Sequence, residues 1–227
     1  MKTPILVINF KNFEGIFEKK AIQLARVAQD VSQRLGVEIV VSPPNPVLSS
    51  VTGTLKIPVY AQHVDVEKIG SSTGSVIPEL LKSIGVSGSI VNHSEKRVSI
   101  QTISDAIERL RDIGLISLVC ARTPEEVSRI AKLGPDLLAV EPPELIGSGR
   151  SVSKVQPGII TESVKASRNS NPRVHLLCGA GVVSGEDVEI ALKLGAEGIL
   201  IASGVVKSTD WKSKIEELAR PIKEVNS

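Results

Sequence analysis

The sequence predicts an α/β fold, a single closed (β/α)8 barrel over residues 1–227, from three observations. Eight short runs rich in Val, Ile and Leu recur along the 227 residues. Most are apolar throughout rather than alternating, as strands buried on both faces of a parallel sheet are. Stretches with helical spacing separate them, and no linker-like or low-complexity segment interrupts the alternation. A doubly wound open sheet is the structural alternative, but the first run is followed by Lys11-Asn12-Phe13-Glu14-Gly15, without the G-x-G-x-x-G of that architecture.

The strand candidates follow in order. The first is Ile5-Leu6-Val7-Ile8-Asn9-Phe10-Lys11, then Glu38–Ser42, Val59–His63, Gly88–His93 and Ile116–Cys120. Leu137–Glu141, Val174–Cys178 and Gly198–Ala202 complete the set. Between them, Ile103, Ile107 and Leu110 form a helical stripe that ends near Gly114. Thr123-Pro124-Glu125-Glu126 reads as a capping box with proline at the first helical position, and Val127, Ile130 and Ala131 follow at helical spacing. Ser184-Gly185-Glu186-Asp187 opens another helix, with Val188, Ala191 and Leu192 on one face and Gly195 as its stop. Asp210 precedes a last helix that turns Trp211, Ile215 and Leu218 inward.

Composition narrows the function. With 27 Lys+Arg against 25 Asp+Glu, the net charge of +2 is too even to indicate nucleic acid or an anionic membrane as a partner. Aromatic residues are 2%, so stacking platforms for single strands are missing. No stretch approaches the roughly 18 apolar residues of a membrane span, and the N-terminal apolar run is too short for a signal-peptide core. Cys120 and Cys178 lie in apolar runs and read as reduced core thiols of a cytoplasmic protein.

In a parallel barrel every loop that follows a strand emerges on one rim, so chemistry is sought at the strand ends. Strand one ends in Asn9-Phe10-Lys11, whose period of two puts Asn9 and Lys11 on the same side. A lysine inside the mouth needs an anion or carboxylate; otherwise it lies out in solvent. Strand four ends in Asn92-His93-Ser94-Glu95-Lys96-Arg97, where Ser94-Glu95-Lys96 resembles the first turn of a short helix. A histidine there stays neutral and donates a hydrogen bond. His63 and His175 lack that setting and read as structural. Strand six ends in Glu141, placed for a general base whose pKa burial would raise. The stretch Pro142-Pro143-Glu144-Leu145-Ile146-Gly147-Ser148-Gly149, with proline at one end and glycines at the other, suits a hinged lid; an ordinary loop beside a surface ion pair is the alternative. Gly179-Ala180-Gly181 and Ala202-Ser203-Gly204 follow strands seven and eight, where such barrels often hold phosphate on backbone N–H groups.

Taken in order, these anchors resemble the triosephosphate isomerase family in its short archaeal form, over essentially the whole chain, and so the TIM-barrel fold. The resemblance implies Glu141 as base, His93 as neutral electrophile and Lys11 as the electrostatic residue of a proton transfer through an enediol(ate), with no metal or organic cofactor. It implies Asn9 as a substrate contact, and Ile146, Gly181, Ala202 and Ser203 around the substrate and its phosphate, mainly through backbone. Glu95 either relays a proton or positions Lys11. The partner is a small phosphorylated substrate. The family assembles through the loop after strand three, here Glu67 to Gly74, so a homo-oligomer is expected, a tetramer rather than a dimer. The chain departs from the family at Pro143-Glu144-Leu145, where a Val-Trp-Ala segment is usual, at Gly179-Ala180-Gly181 in place of Gly-Gly-Ser, and at Ala202-Ser203 in place of Gly-Gly. Two rival readings remain open on the sequence: another phosphosugar barrel synthase, and a barrel that binds phosphate ligands without catalysis.

Overall fold

The structure is a computed structural model that describes residues 2–145 and 152–225. Its strands are β1 (Ile5–Asn9), β2 (Glu38–Ser42), β3 (Tyr60–Ala61), β4 (Gly88–Val91), β5 (Ile116–Ala121), β6 (Leu137–Val140), β7 (His175–Cys178) and β8 (Gly198–Ile201). All pairings are parallel, in the order β2-β1-β8-β7-β6-β5-β4-β3. A parallel bridge between Val41 of β2 and Val59, just ahead of β3, joins the two ends and closes the barrel. The expected run Val59–His63 pairs only over Val59, Tyr60 and Ala61; beyond them the chain leaves the sheet, and the Gln62 side chain donates to the carbonyls of Lys11 and Ser42.

The helices between strands are α1 (Glu18–Leu35), α2 (Leu48–Thr54), α3 (Pro78–Ser83), α4 (Ile100–Asp112) and α5 (Pro124–Ala131). They continue as α6 (Val152–Val155), α7 (Pro157–Ser170), α8 (Gly185–Lys193), α9 (Ser203–Val206) and α10 (Trp211–Val225). Among the described residues no helix is long and apolar enough to cross a membrane.

Two apolar layers follow from the strand period. Ile5 and Val7 of β1, Val40, Ile90, Leu118, Ala139, Leu177 and Leu200 fill the barrel interior. Their strand neighbours Leu6, Ile8, Val41, Val91, Val119, Leu138, Val140 and Ile199 face outward, into the helical layer. There α1 buries Ala21, Leu24, Ala25, Ala28 and Val31, a stripe of small and aliphatic side chains that lets the helix lie close to the sheet. The α4 stripe of Ile103, Ala106, Ile107 and Leu110 does the same, each Ile or Leu contributing about 1.5–3 kcal/mol by burial.

Capping fixes where these helices begin. At α8, Ser184 and Asp187 bond reciprocally to each other's backbone N–H, a complete capping box. At α5 the box is half made. Thr123 accepts the Glu126 N–H at 3.3 Å, but the Glu126 carboxylate accepts from the Arg122 N–H at 2.7 Å and pairs with Arg97. The guanidinium draws the carboxylate out of the box and ties the β4–α4 loop to α5.

Candidate active site

The polar strand ends gather on one rim. Asn9 continues the inward series of Ile5 and Val7, and its Oδ1 accepts the Lys11 N–H at 2.9 Å. That bond closes a turn with Lys11 at φ 49°, a left-handed backbone that costs about 1–2 kcal/mol for a residue with a Cβ. Gln62 holds the turn from the other side, donating Nε2 to the carbonyls of Lys11 and Ser42, each at 3.1 Å. So aimed, the Lys11 ammonium stays near the mouth, 15% exposed, and meets Glu95 Oε1 at 2.9 Å. The solvent alternative for Lys11 is thereby excluded, and the carboxylate it needs comes from the loop after β4.

That loop is clamped by Asn92, which turns the chain at φ 61°. Its Nδ2 donates to the Cys120 carbonyl of β5 at 2.9 Å, and its Oδ1 accepts the Val98 N–H at 3.1 Å. The segment Ser94-Glu95-Lys96 is not the start of a helix. It is a single turn, closed by the Lys96 N–H on the His93 carbonyl at 2.8 Å, because Asn92 and Arg97 anchor both of its ends. The histidine is still oriented: the Glu95 N–H donates to His93 Nδ1 at 3.2 Å. A nitrogen that accepts an N–H carries no hydrogen, so the ring's hydrogen sits on Nε2.

Glu141 follows Leu137 and Ala139 on the inward series of β6, and its backbone N–H donates to the Ala121 carbonyl at 2.7 Å. The residue is 4% exposed. Its Oε1 lies 3.6 Å from His93 Nε2, and its Oε2 is buried with no hydrogen-bond partner. Burial pushes the Glu141 carboxyl above its ordinary value. His93, the Cys120 thiol and Lys11 pull the other way, and Glu95 adds to the rise. The Cys120 thiol beside it is driven well above the usual thiol range, by burial first and by the Glu141 charge next. Across the rim Gly179 makes the room: a Cβ there would stand 2.6 Å from Glu141 Cγ and 3.2 Å from the Val140 carbonyl.

Asn9, Lys11, His93, Glu95 and Glu141 line one cavity with Gly181, Ala202, Ser203 and Gly204. Its volume is about 290 Å³, at the small end of the roughly 300–1,000 Å³ of ligand pockets, which suits a molecule of a few carbons. Of the expected lid, Pro143–Leu145 form one 3-10 turn and Leu145 is buried; Ile146, Gly147, Ser148 and Gly149 lie outside the described residues. The other histidines are paired away from this chemistry. His63 Nε2 is 2.8 Å from Asp65 Oδ1, and His175 Nδ1, at the far end of β7, is 2.7 Å from Glu197 Oε2.

Three contributors escape the sequence reading. Gln62 was discoverable, since it lies two residues beyond Tyr60, which is packed in the barrel interior, by the same period that singles out Asn9. Cys120 reads as a core thiol, and it is one, but it also touches the carboxylate; nothing in the pattern marks that. Asn92 carries the signal of a residue tolerant of left-handed backbone just past a strand.

The model of the family described as triosephosphate isomerase matches residues 4–218. Proteins named triosephosphate isomerase resemble the chain throughout. That of Methanothermus fervidus is 46% identical over 218 residues, 96% of this chain and 98% of the relative. That of Sulfurisphaera tokodaii is 43% identical over 217 residues, 96% of this chain and 94% of the relative. That of Cenarchaeum symbiosum is 46% identical over 219 residues, 96% of this chain and 98% of the relative. A closed parallel barrel, a buried carboxylate facing an oriented imidazole, and these matches along nearly the whole length lead to one conclusion: the chain belongs to the triosephosphate isomerase family, whose enzymes isomerise a phosphorylated triose.

Proposed function

We propose that Glu141, His93 and Lys11 carry the interconversion of dihydroxyacetone phosphate and D-glyceraldehyde 3-phosphate in one barrel spanning the chain. The observation that carries this reading is the buried Glu141 carboxylate, its Oε1 3.6 Å from His93 Nε2 and its Oε2 without a partner. A carboxylate desolvated in this way is a stronger base than one in water. It takes the proton from the carbon next to the carbonyl and becomes a carboxylic acid, while the C–H electrons form the carbon–carbon double bond of an enediol(ate). His93 Nε2–H polarises the carbonyl oxygen as its charge grows. Lys11 balances the negative charge of enediolate and phosphate, and Glu95, 2.9 Å away, positions it. His93 Nε2–H gives its proton to the former carbonyl oxygen and takes the proton of the adjacent hydroxyl in exchange, and Glu141 then returns the carbon-bound proton to the neighbouring carbon, the one that bore the carbonyl.

Asn9 contacts the substrate, and Ile146, Gly181, Ala202 and Ser203 surround it and its phosphate through backbone groups. Residues Pro142 to Gly149 serve as the lid on this reading. No organic cofactor or metal enters any step. A coupled triose-phosphate assay tests the assignment. Glu141→Gln lowers kcat by about 10²–10⁴-fold while binding of inorganic phosphate persists; a variant as active as the parent removes Glu141 from the mechanism.

The protein is further read as a cytoplasmic homo-oligomer, a tetramer rather than a dimer. Support comes from the loop after β3. Its base is closed by Asp65 and Val76, which exchange hydrogen bonds of 2.9 and 2.7 Å, and between them Ile69 stands 67% exposed. An apolar side chain projected on a braced loop is suited to burial against another copy. Light scattering decides the copy number, and a monomer overturns it. The unpaired thiols Cys120 and Cys178 fit a reducing compartment.

A further inference from the structure

Among the described residues the charged lining of the cavity is Lys11, Glu95, Glu141 and Lys207, with His93 neutral on the tautomer that the Glu95 N–H fixes. Two ammoniums and two carboxylates sum to zero. A triose phosphate brings about −1.5 to −2, and Lys11 already holds Glu95 at 2.9 Å. Without Lys207 the described lining would carry a net −1, a charge of the same sign as the substrate's.

The placement of Lys207 is specific. It follows α9, its N–H donating to the Ser203 carbonyl at 3.1 Å, so it stands one turn from Ser203 and Gly204, which line the same cavity. Its ammonium lies 5.0 Å from the centroid of the Phe13 ring. Phe13 belongs to the loop after β1 and lines the cavity as well. Because β1 and β8 are adjacent strands, the two loops meet there, and the ring acts as a rest for the cation. Among the described residues no carboxylate lies within ion-pair distance of Lys207.

We propose that Lys207, seated on the Phe13 ring, is a second cation of this cavity beside Lys11 and binds and steers the phosphate of the substrate. This rests on the placement of the phosphate by the loops after β7 and β8 given above. Its role is electrostatic, and the phosphate carries the same charge in the bound substrate and in the transition state, so the attraction is uniform and shows in KM rather than kcat.

The test uses the intact protein with Lys207→Met, Lys207→Gln and Lys207→Arg. Lys207→Met and Lys207→Gln raise KM for the triose phosphate about tenfold and leave kcat within about twofold. They weaken binding of inorganic phosphate, read by calorimetry, by the same factor and flatten the salt dependence of kcat/KM. Lys207→Arg restores most of both, and turnover of D-glyceraldehyde, which lacks the phosphate, is unchanged in all three. Unchanged KM and unchanged phosphate affinity overturn the proposal; so does an equal loss with D-glyceraldehyde, which marks a structural defect. The calorimetric arm needs no turnover, so a failure of the isomerase assignment stays distinguishable from a failure of this one.

Discussion

Gly179 offers a direct measure of how much the position of the Glu141 carboxylate matters. In Gly179→Ala the added methyl would stand 2.6 Å from Glu141 Cγ and 3.2 Å from the Val140 carbonyl. Carbon atoms rest at about 3.5–4.0 Å, so the glutamate stem must retreat by about 1 Å; the Val140 carbonyl, bonded to the Gly179 N–H at 3.0 Å, moves less. A displacement of 1 Å at a reacting group costs about 10²-fold, and overpacking of this kind destabilises by about 1–3 kcal/mol. The expected variant is therefore folded and about a hundredfold lower in kcat, with binding of inorganic phosphate within a few-fold of the parent. The coupled assay supplies kcat, and thermal unfolding verifies the fold. Adding the substitution to Glu141→Gln isolates the route: if the methyl acts through the carboxylate, the double variant is no slower than Glu141→Gln alone. A kcat within threefold of the parent, or full additivity in the double variant, refutes the reasoning. Gly53→Ala, where a Cβ meets nothing within 4 Å, is the control.

Burial raises the Glu141 carboxyl above 4.5, and the ionised form is the base, so kcat/KM is expected to fall on acidification with a midpoint above 4.5; a midpoint at or below it refutes the burial argument. The same raised pKa makes the ionised carboxylate a stability cost that is absent below the unfolded-state pKa and grows as pH rises through the folded one. Glu141→Gln should therefore melt higher than the parent at pH 8, by a margin that shrinks on acidification. Asp187 behaves oppositely: burial alone would raise it, but N–H donors from Val183 and Ser184, each at 3.0 Å, and Lys154 at 3.2 Å hold it below 3.8. Asp187→Asn should cost about 1–2 kcal/mol at pH 7, and parent and variant should converge as pH falls through the depressed pKa; a constant difference down to pH 3 argues against it. Burial sets Cys120 well above the usual thiol range and Cys178 at about 12, so iodoacetamide at pH 8 should label neither in the native protein and both in denaturant.

The alternation of apolar runs with amphipathic stretches, read from residue order alone, is a local property, and it specified the strands, the α4, α5, α8 and α10 stripes, and the rim at which Asn9, Lys11, His93 and Glu141 end their strands. Period two even separated Phe10, which packs outward into the core, from its polar neighbours. What residue order does not contain is distance across the barrel. The pairing of Lys11 with Glu95, 84 residues on, the bond of Asn92 to the Cys120 carbonyl, the pull of Arg97 on Glu126, and the meeting of Phe13 with Lys207 all join segments remote in the chain. Each depends on which strands are neighbours once the ring has closed, and closure is a global outcome of packing. Sequence pattern therefore decided which side chains reach the mouth, and the tertiary structure decided which charges face one another there, because Coulomb and hydrogen-bond energies depend on angstrom separations that only the assembled barrel sets.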